Sequence, residues 1–286
     1  MKRLLVFFLG VPAVIGLVLF LPFYRHLPLN IVVVLFSAMG AVEFSSMLER
    51  KQLYISKIEA FILGSLAPAS LALTISFNFP EWVVPLMIMT GAGWVLLFRS
   101  FSGLEKINTI INSIAAGFSV LVYPGFFMFW LVKMTAMQNS GIIILIFLLT
   151  VFGSDSTAWL SGTLFGAKNR GIIPVSPNKS IAGYIGGVIG SIIVSCGAAL
   201  IVPGVFSFYG ESTPVSAMMG MTVLLGFCTG IASALGDLAE SAIKRSCGVK
   251  DSGKLMLGRG GILDSIDSIA IAAPVFYLLF DLLFIR

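Results

Sequence analysis

Charge is scarce in this 286-residue chain. Asp, Glu, Lys and Arg make up 11% of it and hydrophobic residues 58%, whereas an average soluble domain is about one quarter charged. That deficit excludes a soluble globular domain and places the chain in a bilayer. Histidine is nearly absent too. The single His26 and the three cysteines, Cys196, Cys228 and Cys247, offer no Cys-x-x-Cys spacing, so a zinc site is excluded and a disulfide framework is not expected. There is no low-complexity tract, no long linker and no repeat beyond the alternation of apolar runs. Basic residues are not interleaved with an aromatic platform, which argues against nucleic acid as a partner. Four Trp and six Tyr are too few to define an aromatic belt. The start, Met-Lys-Arg before a long apolar run, outlasts the ~7–15 apolar residues of a signal peptide and lacks a small-residue cleavage site. It is expected to be retained as a first helix.

What is present is long hydrophobic runs. Nine can cross ~30 Å of hydrocarbon, near residues 4–24, 29–48, 57–77, 80–98, 110–132, 141–160, 181–206, 217–235 and 268–285. Lipid forbids open sheets and exposed irregular backbone, so the expectation is an all-α polytopic bundle of about nine transmembrane helices. It forms one membrane domain over 1–286, with N-terminal helices in 1–135 and catalytic helices and cytoplasmic loops in 136–286. With the N-terminus inside, Lys2, Arg3, Arg50, Lys51, Lys57, Arg99, Lys106, Lys168, Arg170, Lys179, Lys244, Arg245, Lys250, Lys254 and Arg259 fall on the inner side. Only Arg25, Lys133 and Arg286 fall outside. Fifteen against three is a strong positive-inside bias, and it makes the inner face cytoplasmic. Most of these cations need do no more than set topology. The net charge of +5 also suits an anionic lipid surface or phosphate-rich substrates.

Within the spans, Pro68, Pro85 and Pro124 are expected to kink helices. Glu43 lies about one turn from the inner boundary. An ionisable group there is a functional candidate, but it can also reach the interface. Gly183, Gly186, Gly187 and Gly190 form a small-residue stripe for close helix contact, within the bundle or across a homodimer.

Chemistry concentrates in the longest polar stretch, Ser241 to Asp267. It holds Lys244, Arg245, Lys250, Lys254 and Arg259 against Asp251, Asp264 and Asp267. Asp264 and Asp267 stand three apart, on one face of a helix, and two such carboxylates repel. A divalent ion removes the repulsion, and Mg²⁺ takes one or two carboxylates plus substrate phosphates and water. Gly260 and Gly261 permit close backbone approach to a ligand. Cations, glycines and an acidic pair together read as a metal–phosphate site. A second stretch runs from Asp155 to Gly187, with Asp155 at the inner end of the sixth run and Ser176-Pro-Asn-Lys179 leading into the seventh. A helix N-terminus with Ser and Lys beside it attracts phosphate.

Both stretches resemble the phosphatidate cytidylyltransferase (CDP-diacylglycerol synthase) family. Ser241, Lys244, Arg245, Lys250, Asp251, Gly253, Gly260, Gly261, Asp264 and Asp267 fall on its signature without a gap. The earlier stretch matches through Asp155-x-x-Ala158-Trp159, Gly162-x-x-Phe165-Gly166 and Ser176-Pro-x-Lys179. Arg259 stands where the family usually has His, and Ser265 where it has Arg. Met256 and Leu257 are atypical, and Ser180 replaces Thr while keeping the hydroxyl. The resemblance covers the second half of the chain, and the first half follows only in hydropathy and around Glu43.

The resemblance implies transfer of a cytidylyl group from CTP to phosphatidate in phospholipid biosynthesis. It implies Mg²⁺ as cofactor, a second cation being left open. The metal ligands would be Asp237, Asp264 and Asp267, and the catalytic residues those three with Lys244 and Lys250. The substrate-binding residues would be Ser241, Arg245, Asp251, Arg259, Gly260, Gly261, Lys179, Ser176 and Asp155. CTP, phosphatidate and the bilayer are the expected partners, with a homodimer left open. The expected location is the inner (cytoplasmic) membrane, multi-pass, with a cytoplasmic active site. The alternatives are a CTP-dependent polyprenol kinase and, from another class, a cation transporter. A transporter would place its acids at mid-membrane in broken helices, whereas here they cluster among cations at the edge.

Overall fold

The computed structural model of the chain describes residues 2–100, 109–206, 214–256 and 260–285. Helices account for nearly all regular structure among them, and they follow the nine apolar runs. They are α1 (Lys2–Phe20), α2 (Phe23–Glu49), α3 (Lys57–Phe77) and α4 (Val83–Ser100). A continuous rod follows, made of α5 (Ile110–Val120), a π-helical turn (Leu121–Phe126) and α6 (Phe127–Met134). The remainder are α7 (Ser140–Phe165), α8 (Ile181–Ile201), α9 (Val215–Ser246) and α10 (Leu263–Phe284). Among the described residues seven of these rods are long and apolar enough to cross a membrane, and α4 is a shorter apolar helix. The protein is an all-α polytopic membrane protein.

The helices divide into two compact units. One comprises residues 1–136 and 243–266, the other 137–242 and 267–286.

In the first unit α2 and α3 pack closely, because Gly64 leaves room for Ala41 and the Ser37 carbonyl. Pro124 lies in the π-helical turn rather than in a simple kink. Ser37 Oγ lies 2.6 Å from the Pro124 carbonyl and 2.7 Å from that of Gly64. A neighbouring hydroxyl thus satisfies backbone that the distorted turn would strand in lipid. Pro68 is inside α3. Pro85 falls in the first turn of α4, where the N–H it lacks would have had no intrahelical partner, and it kinks nothing. Gly40 on α2 meets Leu263 and Ile266 of the first turn of α10, at 3.5 and 3.4 Å from where a Cβ would stand.

In the second unit α7 and α8 meet along the predicted glycine stripe. Gly183 lies against the Ala158 carbonyl, Gly186 against Ser161, Gly187 against Ser154 and Gly190 against Thr157. The other side of α8 receives α9, where Ser191 Oγ donates to the Gly226 carbonyl at 2.8 Å. Phe147, Phe276 and Phe280 stack through the apolar part, with centroids 5.2 and 5.6 Å apart. Large apolar side chains such as Ile31, Ile58, Met89, Ile189 and Ile193 point outward, as helices surrounded by hydrocarbon require.

Three helices run past the limits that hydropathy sets. α7 continues to Phe165, α9 to Ser246, and α10 begins at Leu263. Asp155 therefore lies inside a helix rather than at its end, and Asp237, Ser241, Lys244 and Arg245 ride on α9. Helix propensity and a hydrogen-bonded backbone do not stop where the apolar residues stop.

Candidate active site

In the first unit the site is built by the end of α9, the loop after it and the first turn of α10. Lys244 and Arg245 occupy the last turn of α9, where cations complement the helix dipole. Gly248 ends the helix with φ +68°, a left-handed conformation that glycine adopts without penalty. Arg245 donates to the Val249 carbonyl at 3.2 Å. Lys250, Asp251 and Lys254 are exposed on the loop. The Met256 N–H bonds the Gly260 carbonyl at 2.9 Å and closes a short loop whose tip, with Leu257 and Arg259, lies outside the described residues. Lys106 and Arg286 of the charge partition lie outside them as well.

Asp264 is the centre of this half. Its Oδ2 accepts the Ser252 N–H at 2.8 Å and the Gly261 N–H at 2.6 Å, with Ser252 Oγ 2.9 Å away. Its Oδ1 faces Lys244 Nζ at 2.5 Å, both side chains being largely buried at 12% and 7% exposure. Gly260, at φ +100°, lies against this carboxylate and the Asp251 Cβ. Gly261 lies against Ser252 and Glu43. The close approach anticipated for the glycine pair is thus made toward the protein's own carboxylates.

The second unit gathers the other predicted residues around a cavity of about 480 Å³. Asp155, Lys179 and Asp237 line it, together with Arg170, Asn178 and Tyr184. Lys179 forms an ion pair with Asp237 Oδ2, and its Nζ stands 5.7 Å from the centre of the Tyr184 ring. Ser241 Oγ donates to Asp237 Oδ1 at 3.4 Å, one helical turn away. Ser176 acts through the backbone. Its carbonyl accepts the Lys179 N–H at 3.1 Å, a turn that presents the lysine, and it is not part of the cavity wall. Ser180 then caps α8 by accepting the Gly183 N–H at 3.0 Å, which is why Ser serves where the family usually has Thr. Asp267 Oδ1 accepts the N–H of the next residue, Ser268, at 2.6 Å, and Gly236 of α9 packs on this stretch of α10.

Carboxylate oxygens are the right donors for a hard cation. Among the described residues, however, no group of three His, Cys, Asp or Glu side chains is placed to hold a metal. Asp264 Oδ2 is filled by backbone and hydroxyl donors. Two of the oxygens that could turn to a cation, Asp264 Oδ1 and Asp237 Oδ2, each face a lysine.

Sequence reasoning missed Ser252 and left Glu43 undecided, because their neighbourhood comes from distant parts of the chain. It also counted Arg170 only as a topology charge, although the sequence placed it eleven residues before Ile181, in the loop that leads into α8.

The profile of the cytidylyltransferase family matches residues 1–283. The phosphatidate cytidylyltransferase of Haemophilus influenzae is 33% identical over 277 residues, 91% of each chain. That of Thermotoga maritima is 32% identical over 207 residues, 72% of each. The uncharacterized protein YnbB of Escherichia coli is 31% identical over 239 residues, 76% of each. With the profile spanning the chain from its first helix to its last, the protein belongs to the cytidylyltransferase family and is a membrane-embedded nucleotidyltransferase.

Proposed function

We propose that this nucleotidyltransferase moves a cytidylyl group from CTP to phosphatidate, releasing diphosphate and leaving CDP-diacylglycerol in the membrane. One observation carries the reading: in each unit a lysine is paired with a carboxylate, Lys244 with Asp264 and Lys179 with Asp237. A metal–polyphosphate substrate would divide such pairs, with lysine turning to phosphate oxygen and the carboxylate left to hold the cation. The enzymes of Haemophilus influenzae and Thermotoga maritima, named for phosphatidate, support the choice of lipid.

A phosphate oxygen of phosphatidate attacks the α-phosphorus of CTP. As that bond forms, the bridging bond from the α-phosphorus to the β-phosphate breaks and diphosphate departs. Lys244, Lys179, Arg245 and Lys250 compensate the charge that accumulates on the phosphoryl oxygens. No strong base is needed, since a phosphomonoester with a second pKa near ~6 is already a nucleophile at neutral pH. Arg259 in the family's usual His position is compatible with that chemistry. Asp264, Asp267 and Asp237 would hold Mg²⁺, a second cation being left open, and the bound ion supplies Lewis-acid polarisation and charge neutralisation. Ser241, Asp251, Gly260, Gly261, Ser176 and Asp155 complete the substrate-binding set. Phosphatidate enters sideways from the leaflet that contains it. The glycine stripe on α8 is occupied by α7, so a homodimer would use another face.

The test is incubation of purified protein with phosphatidate, Mg²⁺ and CTP labelled at the α or the γ phosphorus. The α-label is expected in lipid, with diphosphate in solution. The γ-label in lipid would instead make the protein a lipid kinase.

We place the enzyme in the cytoplasmic membrane with its reactive loops on the inner side, from the fifteen-to-three charge partition. Cysteines replacing the exposed Lys250 and Lys254, in a variant lacking the three native cysteines, should react with a membrane-impermeant maleimide only after the cells are opened. Reaction from outside intact cells would reverse the orientation.

A further inference from the structure

Glu43 is 7% exposed, six residues from the end of α2, and far in sequence from the polar loop. Yet its Oε2 lies 3.0 Å from Ser252 Oγ and accepts the Leu263 N–H at 3.0 Å. That N–H belongs to the first residue of α10, where backbone donors have no intrahelical partner. Ser252 Oγ stands between two carboxylates, 3.0 Å from Glu43 and 2.9 Å from Asp264, and it accepts the Asp264 N–H at 3.3 Å. Its one proton serves either acid. The backbone is shaped to this carboxylate, because a Cβ at Gly253 would strike Glu43 Oε1 and one at Gly261 would strike Oε2 and Ser252 Oγ. Glu43 Oε1 itself is buried with no hydrogen-bond partner. One oxygen therefore accounts for both of the contacts described.

We propose that Glu43 is a positioning residue for the transfer reaction, acting through Ser252 and the first N–H of α10 to fix Asp264. It commits Asp264 Oδ2 to the loop and leaves Oδ1, the oxygen facing Lys244, as the one presented to substrate. The proposal rests on the cytidylyl-transfer reading, in which Asp264 serves the phosphates and their cation. Because the clamp uses an acceptor at one point in space, its length and position matter and its negative charge does not. Glutamine can supply the same oxygen from the same reach, whereas aspartate falls one methylene short.

The experiment compares Glu43→Gln, Glu43→Asp, Glu43→Ala, Ser252→Ala and the Glu43→Ala/Ser252→Ala double variant. It reads kcat, the KM values for CTP and phosphatidate, and the Mg²⁺ concentration for half-maximal rate, all per folded protein. Hydrogen exchange over residues 250–264 is read separately, without substrates. Glu43→Ala and Glu43→Asp are expected to lose about 10²-fold in kcat, a misplacement effect, with a raised Mg²⁺ requirement and little change in the KM for phosphatidate. Glu43→Gln should stay within about threefold of wild type, since both hydrogen bonds survive. The double variant should be no worse than the more impaired single one. Exchange should quicken in Glu43→Ala and not in Glu43→Gln. A Gln variant as impaired as Ala, or losses that multiply in the double variant, would overturn the proposal. So would unchanged exchange in Glu43→Ala. If the wild-type protein transfers no α-label to lipid, the reaction assigned above fails, and the exchange comparison still decides whether Glu43 clamps the loop.

Discussion

Asp264→Asn and Asp267→Asn are each expected to cut turnover by about two to three orders of magnitude, as removing a charge that serves a bound cation commonly costs several kcal/mol at the transition state. The two variants should differ in stability. Asp264 is tied into the loop by two N–H donors and the Ser252 hydroxyl, and its other oxygen faces Lys244 at 2.5 Å. An amide there keeps one acceptor but turns either a neutral oxygen or an NH₂ toward a largely buried ammonium. About 1–3 kcal/mol of stability should be lost with it. Asp267 lies within α10 and its Oδ1 accepts the adjacent Ser268 N–H at 2.6 Å, a bond that an Asn oxygen can also accept. Its variant should unfold in detergent at a higher temperature than Asp264→Asn, since that bond survives the change. Initial rates across a Mg²⁺ series, alongside thermal unfolding of the same preparations, separate the two effects. If both variants keep near-wild-type turnover over the whole Mg²⁺ range, the carboxylates do not serve the reaction and the metal–phosphate site is elsewhere.

The difference between those two residues was not visible in their spacing. Asp264 and Asp267 look equivalent in sequence, one helical turn apart, and hydropathy and charge located both without distinguishing them. Hydropathy found the apolar runs because burial in lipid depends on composition averaged over a whole span. It misplaced the ends of α7, α9 and α10, since lipid thickness limits the apolar residues and not the helix. Motif spacing found Lys179, Asp237 and Asp155, and the fold sets all three around one cavity. What the sequence could not reveal was pairing at long separation. Ser252 and Glu43 are 209 positions apart, and only the packing of α10 on α2 at Gly40 brings their neighbourhoods together. Gly253 and Gly261 carried a trace of it, as paired glycines whose reason for lacking a side chain lies on another helix. The hydroxyl of Ser37 beneath Pro124 is a further case, in which a polar residue inside a span answers a distortion elsewhere in the chain.

Lys179 and Asp237 give the second large effect, and a double variant decides what their contact means. Their side chains are 35% and 27% exposed, so the pair contributes at most about 1 kcal/mol to stability, and losing it should leave the fold intact. Lys179→Met should raise the KM for CTP by about 10- to 100-fold, because in the proposed site it removes a cation from beside the nucleotide phosphates. Asp237→Asn should act mainly on kcat and shift the Mg²⁺ requirement upward, because in the proposed site its oxygen serves the cation rather than the nucleotide. If the two residues only neutralise each other, removing both does less harm than removing one, since no charge is left unpaired. The double variant would then recover toward wild type. If each is released to its own part of the substrate, one to phosphate and one to the cation, the losses compound and the double variant falls below either single. Compounded loss with an unchanged unfolding temperature is the expected result. Recovery in the double variant would return Lys179 to the role that charge counting alone had given it, a cation that sets topology.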